Sequence, residues 1–97
     1  MKLADLVKEL SLEVKTYKQG LQNNVTGGYV SDLLSDVMAN SKKDDIWITL
    51  QTHLNIVAVA SLRTLAGIII VGNRHVNEDT ITRAETEKVT IMTTPMP

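Results

Sequence analysis

The segment Ile46–Val71, IWITLQTHLNIVAVASLRTLAGIIIV, restricts the fold more than any other part of this chain. Ile46, Ile48 and Leu50 alternate with Trp47, Thr49 and Gln51, the two-residue period of a strand with one wholly apolar face. Thr52-His53-Leu54-Asn55 then turns the chain, and Asn55 is placed to cap the next helix by accepting from its free amides. Ile56 to Thr64 or Leu65 reads as that helix, with Ala58, Ala60 and Leu62 favouring it. Ala66–Gly72, AGIIIVG, is a β-branched run bounded by glycine, the pattern of a strand buried on both faces of a parallel sheet. The helix between the strands has only Ser61, Arg63 and Thr64 as polar residues, so it needs cover on more than one side. In a small chain a second subunit is the expected source of part of that cover.

The flanking sequence extends the alternation. Leu3, Leu6, Val7 and Leu10 form one stripe of a short helix over 2–10, and Leu12, Val14 and Thr16 line one face of a strand over 12–17. Gln19–Asn24 is loop. For 30–38 two readings stand: Val30, Leu33, Leu34 and Val37 fit helical spacing, and Tyr29–Leu33 fits a short strand ahead of a helical turn. Asn40–Asp45 is a solvated turn. Glu78–Lys88 reads as a helix with acids early and Lys88 late, its buried stripe reduced to Ile81 and Ala84 with Thr80 or the Lys88 stem. Val89–Thr94 closes the chain as a strand stopped by Pro95. The order from Ile46 is β-α-β-α-β, which implies parallel strands in an α/β domain.

Length and composition set the outer limits. Ninety-seven residues make one domain over 1–97, with an aliphatic core dictated by a single Trp, two Tyr and no Phe. A chain of this size buries roughly 65% of its unfolded surface. A net charge of −1 gives no general attraction to nucleic acid or to anionic membranes. Without cysteine there is no disulfide, thiolate nucleophile or thiolate metal site, which suits a reducing cytoplasm. The N-terminal MKLADLVKEL is interrupted by Asp5, Lys8 and Glu9 and does not read as a signal peptide. No apolar run approaches the ~20 residues that cross a bilayer. The expectation is a soluble cytoplasmic protein.

In open α/β sheets ligands bind beyond the carboxyl ends of the strands. Those ends are Gln51-Thr52-His53, Gly72-Asn73-Arg74-His75 and Thr93-Thr94, with the helix start at Asn55 beside them. Thr26-Gly27-Gly28 is a candidate backbone cradle folding over the same edge. The set Thr26, Gly27, Gly28, Gln51, Thr52, His53, Asn55, Gly72, Asn73 and Arg74 is therefore the expected site for a small anion, against the plain alternative of caps, turns and solvated histidines. No catalytic set emerges: there is no Walker A run, no Gly-x-Gly-x-x-Gly and no nucleophile elbow. His53 and His75 lack a third ligand at recognisable spacing, so no metal or cofactor is expected. Asp32 and Asp36 would share a helix face if 30–38 is helical, and read there as solvated charges.

The run Val25-Thr26-Gly27-Gly28-Tyr29-Val30-Ser31-Asp32-Leu33-Leu34-Ser35-Asp36-Val37-Met38-Ala39, with Ile46–His53 and Ala66–Ile70, resembles the DRTGG domain family, particularly its stand-alone bacterial members. Asn24-Val25-Thr26-Gly27-Gly28 keeps only the Thr-Gly-Gly of the namesake motif, so no role of its first two residues carries over. The resemblance implies a fold like the N-terminal domain of HPr kinase/phosphorylase: a mainly parallel sheet of four to five strands with flanking helices. It also implies a regulatory or dimer-forming module, since the kinase chemistry of those proteins lies in a separate P-loop domain. The expected function is accordingly a non-catalytic regulatory homodimer that contacts a protein partner and senses a small ligand. The alternatives are a small-anion sensor as the primary role and, at lower weight, a small enzyme using His53 or His75.

Overall fold

Three successive isoleucines, Ile68, Ile69 and Ile70, have no polar face to show to water, and strand β4 (Gly67–Ile70) accordingly lies at the centre of the sheet with every residue buried. The computed structural model describes residues 1–97. Before β4 come helix α1 (Leu3–Leu10), strand β1 (Glu13–Val14), a 3-10 turn (Lys18–Gln22), β2 (Gly27–Val30), α2 (Leu34–Asn40), β3 (Asp45–Thr49) and α3 (Asn55–Arg63). After it come α4 (Glu78–Glu87) and β5 (Ile91–Thr93). The five strands form one sheet in the order β1-β5-β4-β3-β2. β2, β3, β4 and β5 run parallel, and β1 closes one edge antiparallel, with Glu13 opposite Thr93. This is the small α/β architecture that the alternation of elements implies. No helix is long and apolar enough to cross a membrane.

Because side chains alternate along a strand, the sheet divides the core in two. Trp47, Ile68, Ile70 and Ile91 pack beneath α2, α3 and α4 with Val37, Ile56, Val57, Val59, Ala60 and Ala84. Ile46, Ile69 and Met92 face the other way, where Leu3 of α1 and Leu12 cover them. The Trp47 indole, fully buried, donates through Nε1 to the Ser31 carbonyl at 2.8 Å, which fixes the exit of β2 against β3.

Several local expectations are refined. Leu12 and Thr16 are buried as the alternation requires, yet regular pairing covers only Glu13–Val14. The ladder breaks because the Thr16 side chain replaces the backbone: its hydroxyl donates to the Val89 carbonyl at 2.7 Å and accepts from the Ile91 amide at 2.9 Å. The segment 30–38 is strand and then helix. Ser31 Oγ accepts from the Leu33 amide at 3.1 Å, and this turn ends β2 and starts α2 at Leu34.

Two expectations are corrected. Asn55 is not the cap of α3: it is the first helical residue, Leu54 precedes it, and no side chain caps this end. The turn is instead closed by the backbone, with the amides of Ile56 and Val57 donating to the carbonyls of His53 and Leu54. Nor does the apolar circumference of α3 call for a second subunit. The helix lies between α2 and α4 on the sheet, burying Ile56, Val57, Val59 and Ala60 and leaving Leu62 as its one large exposed apolar side chain.

Thr16 gives a direct test of how β1 is held. Thr16→Val keeps the shape but leaves a buried carbonyl and a buried amide without their partner. Denaturant unfolding should show a loss of about 2–3 kcal/mol, whereas the exposed Thr86→Val should change stability by less than about 0.5 kcal/mol.

Candidate functional site

Four parallel strands bring four chain segments to one edge: Ser31-Asp32 after β2, Leu50–His53 after β3, Val71–His75 after β4, and Thr94–Met96 after β5. Backbone bonds knit them together. The Val71 amide donates to the Thr49 carbonyl at 3.0 Å, that of Gly72 to Met96 at 2.7 Å and that of Asn73 to Thr94 at 3.0 Å. Gly72 has φ +82°, a conformation that favours glycine, and a Cβ there would stand 2.9 Å from Leu50 Cδ2, the end of a side chain that would have to shift. Asn73 follows with φ 56°, a conformation that asparagine tolerates better than most residues.

Asp32 is the electrostatic anchor of this edge. Its Oδ1 accepts from the Leu50 amide at 2.7 Å and from Thr49 Oγ1 at 2.8 Å, and its carbonyl accepts from Gln51 Nε2 at 3.0 Å. The Leu50 amide and then the Thr49 hydroxyl hold the carboxyl below its usual range, and the positive charge of Arg74 adds to this. A second carboxylate, Asp36, accepts from Tyr29 Oη at 2.7 Å and Asn40 Nδ2 at 2.8 Å and is likewise held low, with the Tyr29 hydroxyl as the main cause. Further along, the Thr52 carbonyl accepts from Thr80 Oγ1 at 2.9 Å, tying the loop after β3 to α4.

Beside β5 this edge opens into a cleft of about 460 Å³ that Asn73, Arg74, His75, Lys15, Glu13 and Thr94 help to line. Lys15 and Glu13 form an ion pair at 3.1 Å across its outer wall, half exposed and therefore a minor contributor to stability. Arg74 and His75 are exposed and enter no ion pair. The edge thus offers a cation, an imidazole, an amide side chain and hydroxyls in one concavity, groups suited to holding an anion in contact with water. Nowhere do three or more His, Asp or Glu side chains come together as a metal ion would need.

Of the residues read from sequence, Gln51, Thr52, His53, Asn55, Gly72, Asn73 and Arg74 reach this edge, and Asn73 and Arg74 line the cleft. His53 is exposed outside it, and Gln51 is occupied with Asp32. Thr26, Gly27 and Gly28 do not join them. Gly27 pairs with Asp45, the first residue of β3, in a parallel ladder, so the glycines begin their strand and lie at the opposite edge. There they border a separate concavity with Lys42 and Lys43. A helical 30–38 makes Asp32 a solvated charge, whereas the strand over Tyr29–Leu33 is the signal that places it near a strand end.

No family model matches the chain, and no curated protein sequence does. Among solved structures, the chain is similar to the CBS and DRTGG domains of the regulatory region of Clostridium perfringens pyrophosphatase, complexed with its activator diadenosine tetraphosphate. The TM-score is 0.77 at 18% identity, covering 99% of this chain and 42% of that one. At that identity the likeness is one of fold: a small α/β domain with a mostly parallel five-stranded sheet, DRTGG-like in architecture. The chain spans less than half the length of the regulatory region it matches.

The Asp32 anchor has a pH signature. A carboxyl held low in the folded state contributes stability above its unfolded pKa, near 3.8, and loses it as pH falls through the lower folded value. Asp32→Asn should therefore be less stable than the parent at pH 7, and the gap should narrow as both are unfolded at pH 4 and then 3. A gap constant from pH 7 to 3 would contradict the assignment.

Proposed function

We propose that this chain is a non-catalytic regulatory module of the DRTGG type that senses a small phosphate-bearing anion, such as a nucleotide or phosphorylated metabolite, and works as a homodimer. The observation that carries the ligand reading is Arg74. An arginine without an ion-pair partner stands beside His75, Asn73 and Thr94 in a cleft at the carboxyl edge of a parallel sheet, where such folds hold ligands. The nucleotide activator of the pyrophosphatase regulatory region supports the same class of ligand. Absence of cysteine fits a cytoplasmic setting, and a protein partner would read the signal out. The enzyme alternative needs a partner group to activate His53 or His75, and both side chains are exposed.

Thermal unfolding in the presence of ATP, ADP, diadenosine tetraphosphate and sugar phosphates tests the ligand. A ligand at a hundredfold excess over its dissociation constant should add ~2.7 kcal/mol of stability. Arg74→Ala should lower that affinity at least tenfold with only a slight loss of stability in buffer alone, since its charge is the smallest of the contributions holding Asp32 low. No shift with any phosphate compound would overturn the sensor reading. Light scattering on the eluting protein at tens of micromolar tests the homodimer, and a strict monomer would overturn that part.

A further inference from the structure

The cleft beside β5 contains a carboxylate that a simple anion site would exclude. Glu13 lines it together with Lys15 and Arg74. Glu13 and Lys15 are two residues apart in extended chain, so their side chains lie on one face. The sheet holds both in place: Glu13 pairs with Thr93, and the Lys15 amide donates to the Ile91 carbonyl at 2.8 Å. The two side chains form an ion pair at 3.1 Å, and neither has another polar partner within the chain. They are 69% and 34% exposed, so water screens the pair and separating it costs little. Arg74 stands across the cleft, beyond the end of β4. Because β4, β5 and β1 are neighbours in the sheet, Arg74 and Glu13 leave strands two spacings apart, about 10 Å. With His75 neutral, the lining carries two cations and one carboxylate, and buried Val76 and half-buried Ile81 supply its apolar part.

We propose, resting on the sensor reading above, that the cleft selects a phosphate monoester carried on a hydroxyl-bearing skeleton, with the phosphate on Arg74 and Lys15 and a ligand hydroxyl donating to Glu13. A phosphate dianion offers Lys15 more charge than the exposed Glu13 carboxylate does, so its entry draws the ammonium across. Glu13 then faces the anion without a partner. An anion that brings no donor meets a like charge inside a concave site, and this repulsion offsets much of what the two cations contribute. A ligand with hydroxyls turns the same carboxylate into an acceptor. The carboxylate therefore selects by penalising the wrong anion as well as by binding the right one. A group set to accept from a hydroxyl discriminates strongly against the analogue that lacks it. The dimensions agree. A lone phosphate fills one end of the cleft, whereas a sugar phosphate spans from Arg74 to Glu13, and 460 Å³ lies within the range of about 300–1,000 Å³ for small-molecule sites. A ligand ammonium is a poorer donor to Glu13 here, because it would enter beside Lys15 and Arg74. Sugar phosphates and ribonucleoside monophosphates share the selected chemistry.

Titration of the full chain at pH 8, followed by amide chemical shifts, tests this with ribose 5-phosphate, AMP and methyl phosphate, a monoester without a hydroxyl. Ribose 5-phosphate should bind at least tenfold tighter than methyl phosphate. In Glu13→Ala, an exposed position whose folding the same spectra report, the preference should fall below threefold, with methyl phosphate binding tighter than it does to the parent. AMP separates the two sources of ligand: tighter binding than ribose 5-phosphate marks a ribonucleotide, and equal or weaker binding marks a sugar phosphate. Equal binding of methyl phosphate and ribose 5-phosphate to the parent, or a preference that survives Glu13→Ala, overturns Glu13 as the selector while leaving the anion sensor standing. No binding of any phosphate compound overturns both.

Discussion

Covering both faces of Ile68–Ile70 is the requirement from which the arrangement of this molecule follows. Fully burying each isoleucine side chain contributes about 1.5–3 kcal/mol, and none of it is gained unless helices lie on either side of β4. The three crossover helices meet that need on one face. The N-terminal helix and the turn after it meet it on the other, with Leu3 against Gly67, Ile46 and Met92. That cover comes from α1 with Leu12, Leu21 and Val25, and it gives out toward the carboxyl edge, where Val30, Ile48, Leu50 and Val71 line a groove. The open groove is thus a consequence of the same layering that makes the core, and not a defect placed at random.

Periodicity made the sheet legible because β-branched runs and alternation report burial directly. It was weakest where one residue type serves two roles. Gly27-Gly28 carries the same local freedom whether it begins or ends a strand; only the pairing of Gly27 with Asp45 decides, and pairing is not written in local sequence. Asn55 is an able cap, but the turn from His53 to Ile56 satisfies its amides through backbone carbonyls and shifts the boundary by one residue. The apolar girth of α3 was a sound sign of burial on several sides, and α2 and α4 supply those sides within the chain. Asp32 was the costliest loss. Its carboxylate acts on Thr49 and Leu50 from across the β2–β3 crossover, a contact that no window of neighbouring residues contains.

At the carboxyl edge, stability and reactivity are divided between neighbouring groups. Asp32 spends its charge on a backbone amide and a hydroxyl inside the chain, while Arg74 is committed to no ion pair. A carboxylate satisfied by the protein repels an incoming anion less than a free one would, and an uncommitted guanidinium attracts it more. On the reading proposed above, this division favours an anion at the edge although its residues are of both signs. Gly72 sustains the arrangement sterically: its missing Cβ lets Leu50 pack beneath the turn that presents Asn73 and Arg74.

Gly72 and Leu50 meet beneath the turn that presents Arg74 to the cleft beside β5. Leu50 also lines the groove beside β2, and its amide is held by Asp32, so a shift of this turn is felt on both sides of the edge. In the reading proposed above, an anion on Arg74 would be coupled to any contact elsewhere on this edge only through the geometry of that turn, and such coupling is reciprocal: whatever strengthens one contact through the other is strengthened by the same factor in return.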